Sequence, residues 1–152
     1  MRVHYVKVRV LGSPESANEG RDLLNAILPK DTEIVEGLIE PELEGGVFTR
    51  PLSRLEASLS GKKAEDFLMK ILSSLDDYDF NSILEKKDLF VDDCNFYLRL
   101  SKKEAASGNF VLDSKDSIHV TVKLAAYPAK KENAIKILGE LIGEAKDERK
   151  VR

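Results

Sequence analysis

The chain has no tryptophan, one cysteine, two histidines and no long apolar run. A lone Cys94 excludes an internal disulfide and a cysteine-based zinc cluster, and it suits a reducing cytoplasm. No stretch approaches the roughly eighteen apolar residues that span a bilayer. A soluble protein without a membrane partner is therefore expected. The opening MRVHYVKVRV has no leucine-rich segment followed by a small-residue cleavage site, so no signal peptide is read there. An excess of one charge is missing too: 24 basic and 27 acidic residues give a net charge of −3. Attraction for a polyanion would have to come from the arrangement of the basic groups rather than their sum.

What is present is periodicity. The 152 residues suffice for one core that needs no cofactor for stability. Val6, Val8 and Val10 alternate with Tyr5, Lys7 and Arg9, which predicts a strand over Val3 to Leu11. Ser13 is a candidate helix cap before Pro14, and Ala17, Leu24, Ile27 and Leu28 recur at helical spacing until Pro29. A second strand is expected around Glu33 to Ile39, and EPELEGGVFTRP reads as a loop. Leu55, Ala57 and Leu59 mark a strand closing at Gly61. Ala64, Phe67, Leu68, Ile71, Leu72 and Leu75 form one apolar helical stripe, with a shorter helix over Asp79 to Lys87. Phe96, Leu98 and Leu100 alternate with Tyr97, Arg99 and Ser101. A turn or short helix at SKKEAASG and an edge strand at Asn109 to Leu112 follow. Ile118, Val120, Val122 and Leu124 mark a strand ended by Pro128. Ala134, Ile135, Leu138, Leu141, Ile142 and Ala145 place a last helix on the core, leaving KDERKVR as a charged tail expected to fray. The expectation is an α+β fold: two layers, a mainly antiparallel sheet with helices packed on one face. Residues 1–145 form a single domain in this reading, with 146–152 as the tail.

One-sided strands leave a face open. The outward residues of the four clearest strands are Tyr5, Lys7, Arg9; Arg54, Glu56, Ser58; Tyr97, Arg99; and His119, Thr121, Lys123. Five cations stand there against one acid. Such a patch raises the local concentration of polyanions, and tyrosines beside arginines offer surfaces on which an unpaired base stacks. Two plainer accounts compete. Lys, Arg, Thr and Tyr suit any water-facing strand, and Tyr and Arg are also favoured where a partner protein covers a face.

Little argues for catalysis. His4 and His119 have no glutamate or cysteine at a metal-ligand spacing, so no metal and no cofactor is expected. Cys94 follows Asp92 and Asp93, acids that would raise rather than lower a thiol's pKa. The pairs Asp76–Asp77 and Asp92–Asp93 read as caps and solvated turns. The Glu44–Gly46 stretch EGG lacks the lysine and following helix of a phosphate loop. The chain is expected not to be an enzyme.

Three blocks carry a resemblance to a known family: RLEASLSGKKAEDFLMKILSSL, DDCNFYLRLSKKEAASGNFVL and DSIHVTVKLAAYP. They resemble the archaeal predicted RNA-binding proteins labelled predicted exosome subunits, and the likeness runs from the first strand to the last helix. Its most specific parts are Asp92 to Gly108 and the closing VKLAAYP at Val122 to Pro128. The resemblance implies a fold similar to ribosomal protein L-five, an archaeal cytoplasmic setting, and RNA as partner. It places basic positions of the motif at Arg99, Lys102, Lys103 and Lys123. One departure stands out: members often carry an aromatic before the glycine where this chain has Ala106, Ser107 and Gly108. The resulting expectation is a non-catalytic RNA-binding protein, an accessory factor in archaeal RNA processing or degradation within a larger complex. Its candidate RNA-binding residues are Lys7, Arg9, Arg54, Tyr97, Arg99, Lys102, Lys103 and Lys123. The alternative is a protein-interaction or homodimerisation subunit that uses the same face, or an exposed strand edge, without touching RNA.

Overall fold

The computed structural model describes residues 1–150. Alternating apolar residues build β1 (Val3–Gly12), β5 (Leu52–Ser60), β7 (Asn95–Ser101) and β8 (Ser117–Leu124), and the shorter β2 (Val35–Ile39) and β6 (Val91–Asp92) pair at the edges. These six form one sheet in the order β2-β5-β1-β8-β7-β6, with every neighbouring pair antiparallel. Near its start β1 shifts register between Val3 and Tyr5. That bulge lets Val3 and Val6, three residues apart, both face the core.

Helices α1 (Ala17–Ile27), α2 (Gly61–Ser74) and α6 (Lys131–Lys150) cover one side of the sheet. The α2 stripe is buried as its spacing predicts, with Ala64, Phe67, Leu68, Ile71, Leu72 and Leu75 all shut off from water. Opposite it lie Val6, Val8, Val10, Leu55, Ala57, Leu59, Phe96, Leu98, Leu100, Val120 and Val122, also buried. The architecture is the expected two-layer α+β fold, a mainly antiparallel sheet with helices on one face.

Several local expectations are corrected. EPELEGGVFTRP is not an irregular loop: Leu43–Glu44 (β3) and Val47–Phe48 (β4) pair across Gly45 and Gly46. Both glycines have positive φ, +56° and +82°, as a two-residue hairpin turn demands. Ser13 does not cap a helix with its side chain; Pro14–Ser16 forms a 3-10 turn in which the Ser16 N–H donates to the Ser13 carbonyl at 3.0 Å. The helix expected at Asp79 to Lys87 divides into α3 (Asp77–Glu85) and α4 (Lys87–Phe90). Asp76 caps α3 by accepting from the Asp79 N–H at 2.8 Å. The expected edge strand at Asn109 to Leu112 reduces to a single bridge between Leu100 and Leu112. There the Asp79 carboxylate takes the Leu112 N–H at 2.9 Å, in place of a strand carbonyl.

Most of the segment expected as a charged tail is helical, since α6 continues to Lys150. Arg149 holds it. Its Nη1 donates to the carbonyls of Leu72, Ser73 and Leu75 at the end of α2, and its Nη2 to Asp77 at 2.7 Å. The guanidinium also lies 4.5 Å from the centre of the Phe80 ring. A cation belongs at a helix C-terminus, where unpaired carbonyls converge. Residues 151 and 152 of the expected tail lie outside the described residues. Between α5 (Lys102–Ala106) and the sheet, Ser101 caps the short helix by accepting from the Glu104 N–H at 3.1 Å.

Candidate nucleic-acid interface

Strand register decides which side chains meet on the open face. Arg9 stands opposite His119, and His119 opposite Arg99, so one row across β1, β8 and β7 reads Arg9, His119, Arg99. Glu56 on β5 extends the row beyond Arg9. The next row holds Ser58, Lys7, Thr121 and Tyr97, and the third Ser60, Tyr5, Lys123 and Asn95. Neighbouring strands lie about 4.8 Å apart and same-face residues about 7 Å apart along a strand. The three rows, each crossing four strands, therefore fill a patch roughly 14 Å by 14 Å. Tyr5, Lys7, Arg9, Glu56, Tyr97 and His119 border a shallow depression of about 370 Å³ on it.

The cations differ in how free they are. Among the described residues, Arg9, Arg99, Lys7 and Lys123 make no ion pair. Lys7 lies over the Tyr5 ring, 5.3 Å from its centre, which orients the ammonium without neutralising it. Arg9 is half-buried, and its Nη2 sits 3.5 Å from His119 Nδ1. Burial holds the His119 imidazolium below its ordinary pKa, and the guanidiniums of Arg9 and Arg99 and the ammonium of Lys102 push the same way. Its Nδ1 then accepts from Arg9.

Tyr97 is 43% exposed and keeps its ring on the open face. The remaining candidates lie away from this cluster. Arg54 is exposed on the open face but lies toward the β2 edge, its guanidinium over Gly37, where an added Cβ would meet Nη2 at 3.2 Å. Lys103 is exposed on α5, beyond the end of the sheet. Lys102 is committed: its Nζ donates to the Leu11 carbonyl at 2.8 Å and to Asp116 at 2.6 Å. Polar residues outside the candidate contacts also belong to the patch, His119 and Asn95 among them. His119 was legible from the β8 alternation, whereas half-buried Asn95 stands at the strand start, where period gives no signal. No group of three or more His, Cys, Asp or Glu among the described residues is placed to hold a metal ion. No helix among them is long and apolar enough to cross a membrane.

Fold and face together define a class: a two-layer α+β protein whose helices cover one side of a sheet and whose other side presents unpaired cations between tyrosines. The family model described as RNA binding matches residues 5–124, and the chain belongs to that archaeal RNA-binding family. It is 30% identical over 149 residues to the RNA-binding protein PAB1135 of Pyrococcus abyssi (strain GE5 / Orsay), covering 92% of this chain and 94% of that one. Among solved structures it is similar to protein AF2318 from Archaeglobus fulgidus, with a TM-score of 0.77 at 24% identity over 91% of this chain and 99% of that one. Mth689, a DUF54 protein from Methanothermobacter thermautotrophicus, superposes with a TM-score of 0.68 at 23% identity over 93% and 99%. These two structures speak to the fold.

Proposed function

We propose that the open sheet face is where this protein holds RNA, without catalysing a reaction, as an accessory factor of archaeal RNA processing or degradation in the cytoplasm. A role beside an exosome-like complex and a kinship with ribosomal protein L-five belong to the same reading. The observation that carries it is the set of four cations without ion pairs among the described residues, Lys7, Arg9, Arg99 and Lys123, on one face of a chain in an RNA-binding family. Phosphate contacts of this kind are sequence-neutral, so selectivity comes from RNA shape and from stacking on Tyr97.

The test is a binding titration of single-stranded RNA against salt. Three or four neutralised phosphates give a slope of log affinity on log salt of roughly −2 to −3. Reversing two charges, Arg99→Glu with Lys123→Glu, removes most of the affinity and leaves the melting temperature within the scatter of surface substitutions. Unchanged affinity in that variant withdraws the face from the proposal.

A second reading is favoured at the far edge of the sheet. Val35, Leu38, Leu43, Val47 and Phe48 are all more than half exposed around β2 and the β3–β4 hairpin. The outer edge of β2 also has no neighbouring strand among the described residues. An uncovered apolar edge of this kind suits a protein contact. Light scattering before and after Phe48→Glu checks it, since a self-contact at this edge would be lost in the variant.

A further inference from the structure

The geometry points to an oxyanion seat formed by Arg9, His119 and Arg99, in which one RNA phosphate is held between the two guanidiniums while His119 takes up a proton. The inference rests on the RNA reading of the face and adds to it a defined contact and a regulating variable.

Three observations support the seat. Register puts the three side chains in one row on adjacent strands, with His119 in the middle. Neither guanidinium has an ion pair among the described residues. And Arg9 Nε is buried with no hydrogen-bond partner among them. Buried donors are rarely left unsatisfied, and a guanidinium presents its N–H groups in a fork that fits two oxygens of a phosphate.

The proton follows from electrostatics. With the seat empty, the charged form of His119 is disfavoured: burial acts first, and Arg9, Arg99 and Lys102 repel it. A phosphate oxygen between the guanidiniums reverses the sign of the local field, so the imidazolium becomes the favoured form and donates to the anion. The other charged groups facing this point are few. Lys7 on β1 and Lys123 on β8 add positive charge, Tyr97 on β7 is neutral, and the bordering acids are Glu56 opposite Arg9, Asp116 paired with Lys102, and Asp113, whose N–H donates to the Arg99 carbonyl. These acids flank the row without bonding to His119.

Proton uptake on binding makes affinity rise as pH falls. The effect is confined to the interval between the histidine's depressed value in the free protein and its raised value in the complex. Above that interval both states are neutral, and below it both are charged. A uridine-only oligonucleotide is the probe, since its bases take up no proton in this range. Its affinity, measured by fluorescence anisotropy from pH 8 to pH 5.5 at fixed ionic strength, is expected to rise by up to about tenfold per pH unit in the full chain. In His119→Gln that dependence is lost, and in His4→Gln it is kept. The His119 ring is also followed by NMR, where both the oligonucleotide and sulfate alone should move its titration midpoint upward. Binding that depends on salt but has the same pH profile in the wild type and His119→Gln overturns the seat and leaves the RNA reading intact. If the oligonucleotide does not bind at any pH, the RNA reading fails; the seat then stands only if sulfate raises the His119 midpoint, and falls if it does not.

Discussion

On β7, Phe96, Leu98 and Leu100 are shut under the helices, while Tyr97 and Arg99, one residue over in each case, face water. β8 repeats the division, with Ile118, Val120 and Val122 inside and His119, Thr121 and Lys123 outside. The covered face is held by what its residues have in common: they are apolar and packed, so each matters to stability in proportion to its size. The open face is defined by what its residues do not share with the core. Its cations contribute little to folding and lie where register, not packing, has set them. On the proposed reading, stability and binding are written on alternate residues of the same strands, and substitutions on the two faces should separate cleanly.

The largest effect belongs to the covered face. Phe96 is completely buried, with Phe90 tilted against it at 6.3 Å between ring centres. Phe96→Ala removes a large side chain from a packed site and should cost about 3–5 kcal/mol in chemical denaturation. Arg99→Ala, three positions on, should stay within about 0.5 kcal/mol of the wild type. Comparable losses from both would mean that Arg99 supports the fold and that the division between the faces fails.

The same division explains what could be read from the sequence. A period of two states which side chains share a face, and it placed Tyr5, Lys7, Arg9, Tyr97, Arg99 and Lys123 together on the open one. It is silent on partners that arrive from elsewhere in the chain. Asp79, on α3, takes the Leu112 N–H and so replaces a strand that the residues around Leu112 suggest. Arg149, far along α6, binds the carbonyls ending α2 and keeps helical a segment whose composition suggests fraying. The two-residue hairpin at Gly45 and Gly46 carried its signal in the glycine pair, but strands so short have no periodicity to detect.

A smaller effect is expected at Tyr97, and it sharpens the comparison within the open face. Its ring is exposed beside Arg99 and opposite Thr121. Tyr97→Ala should lower affinity for single-stranded RNA by about 1–3 kcal/mol, because each unpaired base that stacks on an aromatic contributes that much. Duplex affinity, measured in parallel, should barely move, since paired bases cannot reach the ring. Equal losses for both substrates would reduce the tyrosine to a spacer between cations.

The smallest effect concerns two adjacent lysines that sequence reasoning treats alike. Lys102 donates to the Leu11 carbonyl and pairs with Asp116, and its side chain is 21% exposed; Lys103 next to it stands free in water. Lys102→Met keeps the aliphatic stem and removes the ammonium, leaving the Leu11 carbonyl short of a donor. Asp116 is largely exposed, so its share of the pairing is screened. The net cost should be about 1 kcal/mol of stability, with little change in RNA affinity. Lys103→Met should do the opposite, leaving the melting temperature alone and lowering the salt dependence of binding by up to about 0.7 in slope if its ammonium meets a phosphate. Measuring both variants by thermal melting and by salt titration places the boundary between the two roles at a single peptide bond. Should Lys102→Met reduce the salt slope while Lys103→Met does not, the Lys102 ammonium leaves Asp116 to bind RNA, and the contact with Leu11 belongs to the unbound state alone.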